Sequence, residues 1–211
     1  NGKICITLKD NDELIAVKKT TGNDSVLLGS SNGRMVKFNE NETRMMGRSA
    51  SGVKGIELDG GECIGAEIAS DDDTILIVTL NGYGKKTNVR DFRETKRGSK
   101  GVKALSITDK NGPIAAFRVI TGDQDVIIIT DSGVVMRMPL EQISTLGRVN
   151  KRVRLIHLKG EQKVSTISLV DKKSEDEEIE NSDSPIESNI SEELNNTNDN
   201  EIIQQESDIE E

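Results

Sequence analysis

The chain has no tryptophan, one tyrosine and three phenylalanines among its 211 residues. Its core therefore has to be built from isoleucine, valine and leucine. Cysteine is nearly absent: Cys5 and Cys63 stand far apart with no CxxC spacing, which excludes a disulfide framework and a zinc site. Both read as small buried hydrophobes in a reducing compartment. No apolar run approaches the roughly 18 residues of a membrane helix. No basic segment followed by an apolar one opens the chain, so no signal peptide is visible. Asn1 stands where a complete chain would begin with methionine, and the sequence reads as a segment of a longer protein.

What is present is charge, and it is segregated. From Asp171 to Glu211 there are 16 acidic residues and 2 lysines, a net of -14. Asn1 to Val170 carries 26 basic and 21 acidic residues, a net of +5. A mildly basic body, 1–170, and a strongly acidic tail, 171–211, are two different objects. The tail is rich in Ser and Asn and has no aromatic residue. It cannot bury enough apolar surface to offset the entropy of ordering, and it is expected to be disordered.

The body repeats itself. "DSVLLGSSNGRMVKF" (24–38), "DTILIVTLNGYGKKTNV" (73–89) and "QDVIIITDSGVVMRM" (124–138) are each an apolar run, a polar-glycine turn and a second run. The turn glycines Gly33, Gly82 and Gly133 are 49 and 51 residues apart. A second block follows each: "GRSASGVKGIEL" from Gly47, "KRGSKGVKALSI" from Lys96 and "GRVNKRVRLIHL" from Gly147. A third block, "ECIGAEI", "PIAAFRV" or "QKVSTIS", closes each unit, and "NGKICITLKDNDELIAV" matches the second half of one more. The repeats run at about 1–23, 24–72, 73–123 and 124–170.

Asn-Gly and Ser-Gly between apolar runs are hairpin turns, because a positive φ suits the twist of the flanking strands. "TILIV" and "VIIIT" read as strands covered on both faces. In the second block, Ile56 and Leu58, Leu105 and Ile107, Ile156 and Leu158, and Ile6 and Leu8 are expected to face inward. Glu57, Ser106, His157 and Thr7 take the outward position between them, so the single histidine reads as a solvated strand residue. About four strands per unit predicts an all-β, propeller-like array of stacked blades.

Each second block carries a basic loop: Arg48 and Lys54; Lys96, Arg97, Lys100 and Lys103; Arg148, Lys151, Arg152 and Arg154. The hairpins add Arg34, Lys37, Lys85, Lys86, Arg90 and Arg137. Gly47, Gly52, Gly98 and Gly101 are expected to let backbone N–H groups approach what these charges attract, and phosphate fits that combination. Recurrence at one phase of every blade predicts a curved positive track. So few aromatic residues argue against stacked single strands. The backbone of a duplex, contacted without sequence specificity, suits the track.

Other chemistries are set aside. "GYGKKT" lacks the glycine at Thr79 and the hydroxyl residue at Lys86 that a nucleotide-binding P-loop needs. Asp71, Asp72 and Asp73 lie in a turn between strands and read as solvated. Tyr83 has no acid cluster near it in sequence, and no catalytic or metal constellation is present.

"RMMGRSASGVKGIEL", "TLNGYGKKTNVRDFRETKRGSKGVKAL" and "TDSGVVMRMPLEQISTLGR" closely resemble the C-terminal domain of the bacterial DNA gyrase A subunit, over 1–170. The resemblance implies a six-bladed β-pinwheel that wraps duplex DNA around its edge, with about three and a half blades in this chain. It implies a part in ATP-driven negative supercoiling by a cytoplasmic, nucleoid-associated assembly of two A and two B subunits. ATP and Mg would be bound elsewhere in that enzyme, and no cofactor in this segment. "TKRGSKG" (95–101) looks like a degenerate copy of the family heptapeptide Gln-Arg-Arg-Gly-Gly-Lys-Gly, keeping Arg97, Gly98, Lys100 and Gly101. Arg152 departs from the loop glycine found at Gly52 and Gly101, so the last loop is expected to meet DNA differently. The family's cleavage tyrosine lies in a domain outside this segment, and Tyr83 does not inherit its role.

Two rivals stay open at this point: the A subunit of topoisomerase IV, and a protein-binding propeller with no nucleic-acid partner. The acidic tail also has two readings. It is a solubilising or inert linker, or it folds back on the basic edge and competes with DNA.

Overall fold

The computed structural model describes residues 2–148 and 152–172. The expected disorder of the tail falls on residues 173–211, which lie outside that range, as does Lys151. Within it, the chain is all-β. Strand β1 (Ser25–Ser30) returns as β2 (Arg34–Asn39), and β3 (Cys63–Ile68) pairs on the other side of β1. The unit recurs as β4 (Thr74–Thr79), β5 (Tyr83–Asn88) and β7 (Ile114–Ile120), then as β8 (Gln124–Thr130), β9 (Val135–Pro139) and β11 (Val164–Asp171). A single 3-10 turn follows each hairpin, at Glu40–Glu42, Val89–Asp91 and Leu140–Gln142. All pairings between these strands are antiparallel.

The hairpins turn on the expected glycines. Gly33, Gly82 and Gly133 have φ of +88°, +77° and +81°. Each N–H donates to the carbonyl at the end of the first strand, at 3.0 Å (Ser30), 3.0 Å (Thr79) and 3.1 Å (Thr130). A type I turn followed by a left-handed residue gives this geometry.

A sheet is not the same span as a sequence repeat. Two short strands, β6 (Val102–Lys103) and β10 (Val153–Arg154), leave their own repeat and complete the sheet of the preceding one. The orders are β3-β1-β2-β6, β7-β4-β5-β10 and β11-β8-β9. Each arm then passes under the preceding hairpin turn. Ala104 and Leu105 both donate to the Gly33 carbonyl, at 2.8 and 3.2 Å, and Leu155 and Ile156 both donate to the Gly82 carbonyl, at 2.8 and 3.3 Å. Consecutive N–H groups on one acceptor cannot belong to a ladder, so "ALSI" and "LIHL" are not the alternating strands the sequence predicts. Leu105 and Ile156 are buried as expected, but so are their neighbours Ala104 and Leu155. Ile6 and Leu8 are exposed, and so is Cys5, against the expectation that each is buried.

The sheets stack face to face, and β4 shows how. Ile75 and Ile77 join Leu27, Met35 and Phe117 in one cluster, while Leu76 and Val78 join Val126 and Ile128 in the next. All four β4 side chains are fully buried, which explains the unbroken apolar run. At about 1.5–3 kcal/mol for each buried aliphatic side chain, this strand is a major source of cohesion. The core is not purely aliphatic: Phe38, Phe92 and Phe117 are all buried. Phe117 fits because Gly29 and Gly65 leave room for its ring; a Cβ on Gly29 would lie 2.5 Å from it.

Candidate nucleic-acid interface

The arms decide where the basic residues go. Thr95 donates to the Lys37 carbonyl and Leu146 to the Lys86 carbonyl, both at 2.8 Å. These bonds seat each basic loop beside the second strand of the preceding sheet. From there the arm runs to the hairpin end, where Lys103 sits opposite Arg34, and Arg154 opposite Tyr83.

Successive loops touch one another. Arg97 donates from Nη1 to the Lys54 carbonyl at 2.7 Å, and one repeat later Arg148 donates from Nη1 to the Lys103 carbonyl at 2.9 Å. Arg97 is further held by Glu42, through its backbone N–H at 2.9 Å and Nε at 3.1 Å. Arg148 lies 6.0 Å from the centre of the Phe92 ring. Each of these two loops therefore meets the arm of the preceding repeat.

Four of the expected residues, Arg34, Arg48, Lys96 and Lys103, have neither a carboxylate partner nor a side-chain hydrogen bond among the described residues, while Lys86, Arg97, Arg148, Arg152 and Arg154 lack a carboxylate but donate to carbonyl or hydroxyl groups. Arg137 pairs at 2.7 Å with Asp125, which is buried, while others are paired at the surface: Lys54 with Glu57, Lys100 with Asp59 at 3.0 Å and Arg90 with Asp72 at 3.0 Å. Such exposed pairs are weak and exchange readily for another anion. Arg152 donates to the Thr108 hydroxyl at 2.9 Å.

Two of the expected contacts are corrected. Lys37 is buried and its ammonium pairs with Asp71 at 2.5 Å. Lys85 is fully buried, and its ammonium donates to the carbonyls of Gly147, at 2.8 Å, and Arg148. Burial, then the nearby Arg148, lowers the Lys85 pKa to about 8. Both lysines hold loops in place instead of facing outward. Lys86 also points at a carbonyl, that of Leu140, at 2.9 Å. Two of the four loop glycines, Gly98 and Gly101, do not present free N–H groups either. Gly98 donates to the Gly55 carbonyl at 2.6 Å and Gly101 to the Ser99 hydroxyl at 3.3 Å. Gly101 is glycine because a Cβ there would collide with the Met35 carbonyl.

Asp71 and Asp72 are spent on Lys37 and Arg90, and Asp73 accepts from the Ser70 N–H at 2.7 Å. No group of three metal-ligating side chains occurs among the described residues, and no helix there is long and apolar enough to cross a membrane. Sequence reading missed Lys110 and Lys163, which converge with Arg154 around Tyr83. They lie in the connecting loops, outside the recurring basic blocks, and no pattern marks them.

Stacked antiparallel sheets, the first two completed by arms from the following repeat, with basic residues recurring at the arms, define a β-propeller-like repeat domain of pinwheel type. A family model described as "DNA gyrase C-terminal domain, beta-propeller" matches residues 1–21, 24–70, 73–121 and 124–171, and the chain belongs to that family. It is 44% identical over 170 residues to the DNA gyrase A subunit of Ureaplasma parvum serovar 3, covering 80% of this chain and 20% of that protein. It is 40% identical over 187 residues to the DNA gyrase A subunit of Staphylococcus aureus (strain NCTC 8325 / PS 47), covering 87% and 21%. The chain thus spans about a fifth of the length of these curated relatives. Among solved structures, a DNA gyrase A C-terminal domain superposes with a TM-score of 0.72 at 23% identity, covering 80% of this chain and 58% of that one. A topoisomerase IV C-terminal domain superposes at 0.74, also at 23% identity, covering 84% and 56%. Both likenesses concern the fold.

Proposed function

We propose that this chain binds duplex DNA along its recurring arm cations, without sequence specificity, and bends it, as part of a DNA gyrase A subunit that takes part in ATP-dependent negative supercoiling. The observation that carries the reading is the repeated clasp, Arg97 on Lys54 and Arg148 on Lys103, which makes the basic corners neighbours. A duplex presents a phosphate every few ångströms, so a continuous row of cations matches it where isolated patches do not. The gyrase A relatives favour this reading over membership of topoisomerase IV.

The partners in this reading are duplex DNA, the gyrase B protein and a second copy of the A protein, and the compartment is the cytoplasm. ATP and Mg act elsewhere in that assembly. The contacts assigned to DNA are Arg34, Arg48, Lys54, Lys86, Arg90, Lys96, Arg97, Lys100, Lys103, Arg137, Arg148, Arg152 and Arg154. Turning roughly 40 bp through about 180° costs on the order of 10 kcal/mol. No single loop offsets that, whereas about six phosphate contacts change affinity by roughly 10³ between low and moderate salt. With its three sheets the chain is expected to bind weakly and bend incompletely. A gel-shift series in salt tests this: affinity should fall steeply as salt rises, and an affinity flat against salt rejects the reading.

A further inference from the structure

At the hairpin end of the second sheet lies a cavity of about 250 Å³, bordered by Asn81, Tyr83, Lys110, Arg154 and Lys163. Arg154 donates to the Tyr83 hydroxyl from Nε at 3.2 Å and Nη2 at 2.5 Å, with its guanidinium 5.1 Å from the ring centre. The Lys110 ammonium is 5.9 Å from the same ring centre. The Lys163 ammonium donates to the Asn81 amide oxygen at 2.9 Å. All three cations are thus braced by neutral groups, and none pairs with a carboxylate among the described residues. Elsewhere on the surface, Lys54, Arg90, Lys100 and Arg137 each have one.

Ile156 and Leu158 supply the apolar part of the lining, and Gly160 and Gln162 complete it. The positive potential registers on the phenol: the Arg154 hydrogen bond, with added influence from Lys110 and Arg152, holds Tyr83 below its ordinary pKa. Because the hydroxyl oxygen accepts from Arg154, its own proton remains free to be donated. A guanidinium, two ammonium groups and a phenol O–H then converge on one space. That is a donor set for a tetrahedral oxyanion. One repeat earlier the same corner sets Arg34 opposite Lys103, a cross-strand pair of like charge whose repulsion an anion relieves.

We propose that the corner formed by Tyr83, Lys110, Arg154 and Lys163 is a phosphate-binding pocket. It lies three residues along β5 from Lys86, where the basic loop is seated, a distance of about 10 Å. The proposal deepens the duplex-binding reading and rests on it only for the source of the phosphate, which is either the DNA backbone or a free phosphate compound.

Tyr83 is the only tyrosine and tryptophan is absent, so ultraviolet titration of the full chain reads this one phenol. The probes are pyrophosphate alone and a duplex oligonucleotide alone. Pyrophosphate should raise the pH midpoint of tyrosinate formation saturably, because an anion cancels the field that lowers it. Lys110→Gln with Lys163→Gln, which leaves the Tyr83–Arg154 contact intact, should weaken pyrophosphate binding about tenfold or more. Arg154→Gln should raise the midpoint of the free chain and abolish the ligand-dependent shift. A shift with both probes assigns the pocket to the DNA backbone. A shift with pyrophosphate alone supports the pocket and assigns it to a free phosphate compound. A midpoint unmoved by either probe overturns the proposal, even where gel shifts still register DNA binding. Loss of DNA binding with the pyrophosphate shift retained would instead remove the duplex reading and leave the pocket standing.

Discussion

Arg148 donates from Nη1 to the carbonyl oxygen of Lys103 at 2.9 Å, repeating the bond that Arg97 makes to Lys54 at 2.7 Å one repeat earlier. One residue type at one phase of the repeat therefore has two tasks. It fastens its loop to the neighbouring arm, and it keeps a positive charge next to the neighbour's.

The two tasks separate by substitution. Arg148→Lys keeps the charge but loses the planar donor geometry. It should lower stability by about 1 kcal/mol, the worth of one hydrogen bond, while DNA affinity changes little. Arg148→Gln should lower both. Thermal melts and gel shifts on the same samples check this.

The turn glycines make a graded set. A Cβ at Gly82 would lie 2.6 Å from Ile156 Cγ2, and one at Gly133 meets nothing within 4 Å. Both have positive φ. Gly133→Ala should cost about 1–2 kcal/mol for the left-handed backbone alone. Gly82→Ala should cost about 1–3 kcal/mol more, because the arm packed against it is displaced. Equal losses in chemical denaturation would show that the arm does not pack on the turn.

Lys85 makes stability depend on pH. Its folded pKa is about 8 against an ordinary 10.5. Between those values the unfolded chain holds a proton that the folded chain has released, so the stability contributed at this site rises with pH. The causes are burial first, then Arg148, with Asp91 opposing and Arg152 adding to the effect. Lys85→Met matches Met136, which occupies the same column of the repeat. Urea denaturation at about pH 7.5 and 9.5 should show the wild-type chain gaining on the variant as pH rises. Parallel pH dependence would contradict the assignment.

The acidic tail gives a further test. Strand β11 runs to Asp171, and Lys172 pairs with Asp123 and Glu141, so a truncation belongs after Lys172. Removing residues 173–211 takes away 15 acidic residues and one lysine. Under the competition reading DNA binding then tightens, most at low salt. Unchanged affinity leaves the tail as a linker.

The hairpins and the stacking of sheets were legible because they are written in local signals: turn glycines, and apolar runs too dense for one-sided burial, as in Ile75 to Val78. The arm exchange was not. Val102–Lys103 and Val153–Arg154 are each too short to show a period, and their partner lies in the preceding repeat. Lys85 was legible in principle, since Val36 and Met136 share its column and mark it as a core position. Reading its charge before its column sent it to the surface. Lys110 and Lys163 carry no such marker; only the folding of two connecting loops onto Tyr83 brings them together.

The central claim is that a row of uncompensated cations meets the phosphates of a duplex. Arg34, Lys96 and Lys103 have no carboxylate partner among the described residues, and Arg34 and Lys103 face each other across β2 and β6. The decisive measurement is the slope of log affinity against log salt for duplex DNA, with the full chain and with Arg34→Gln, Lys96→Gln and Lys103→Gln combined. The slope should become shallower by about 0.9 for each phosphate no longer neutralised, so by roughly 2 to 3 in all. An unchanged slope, with the variant still folded, would contradict the account.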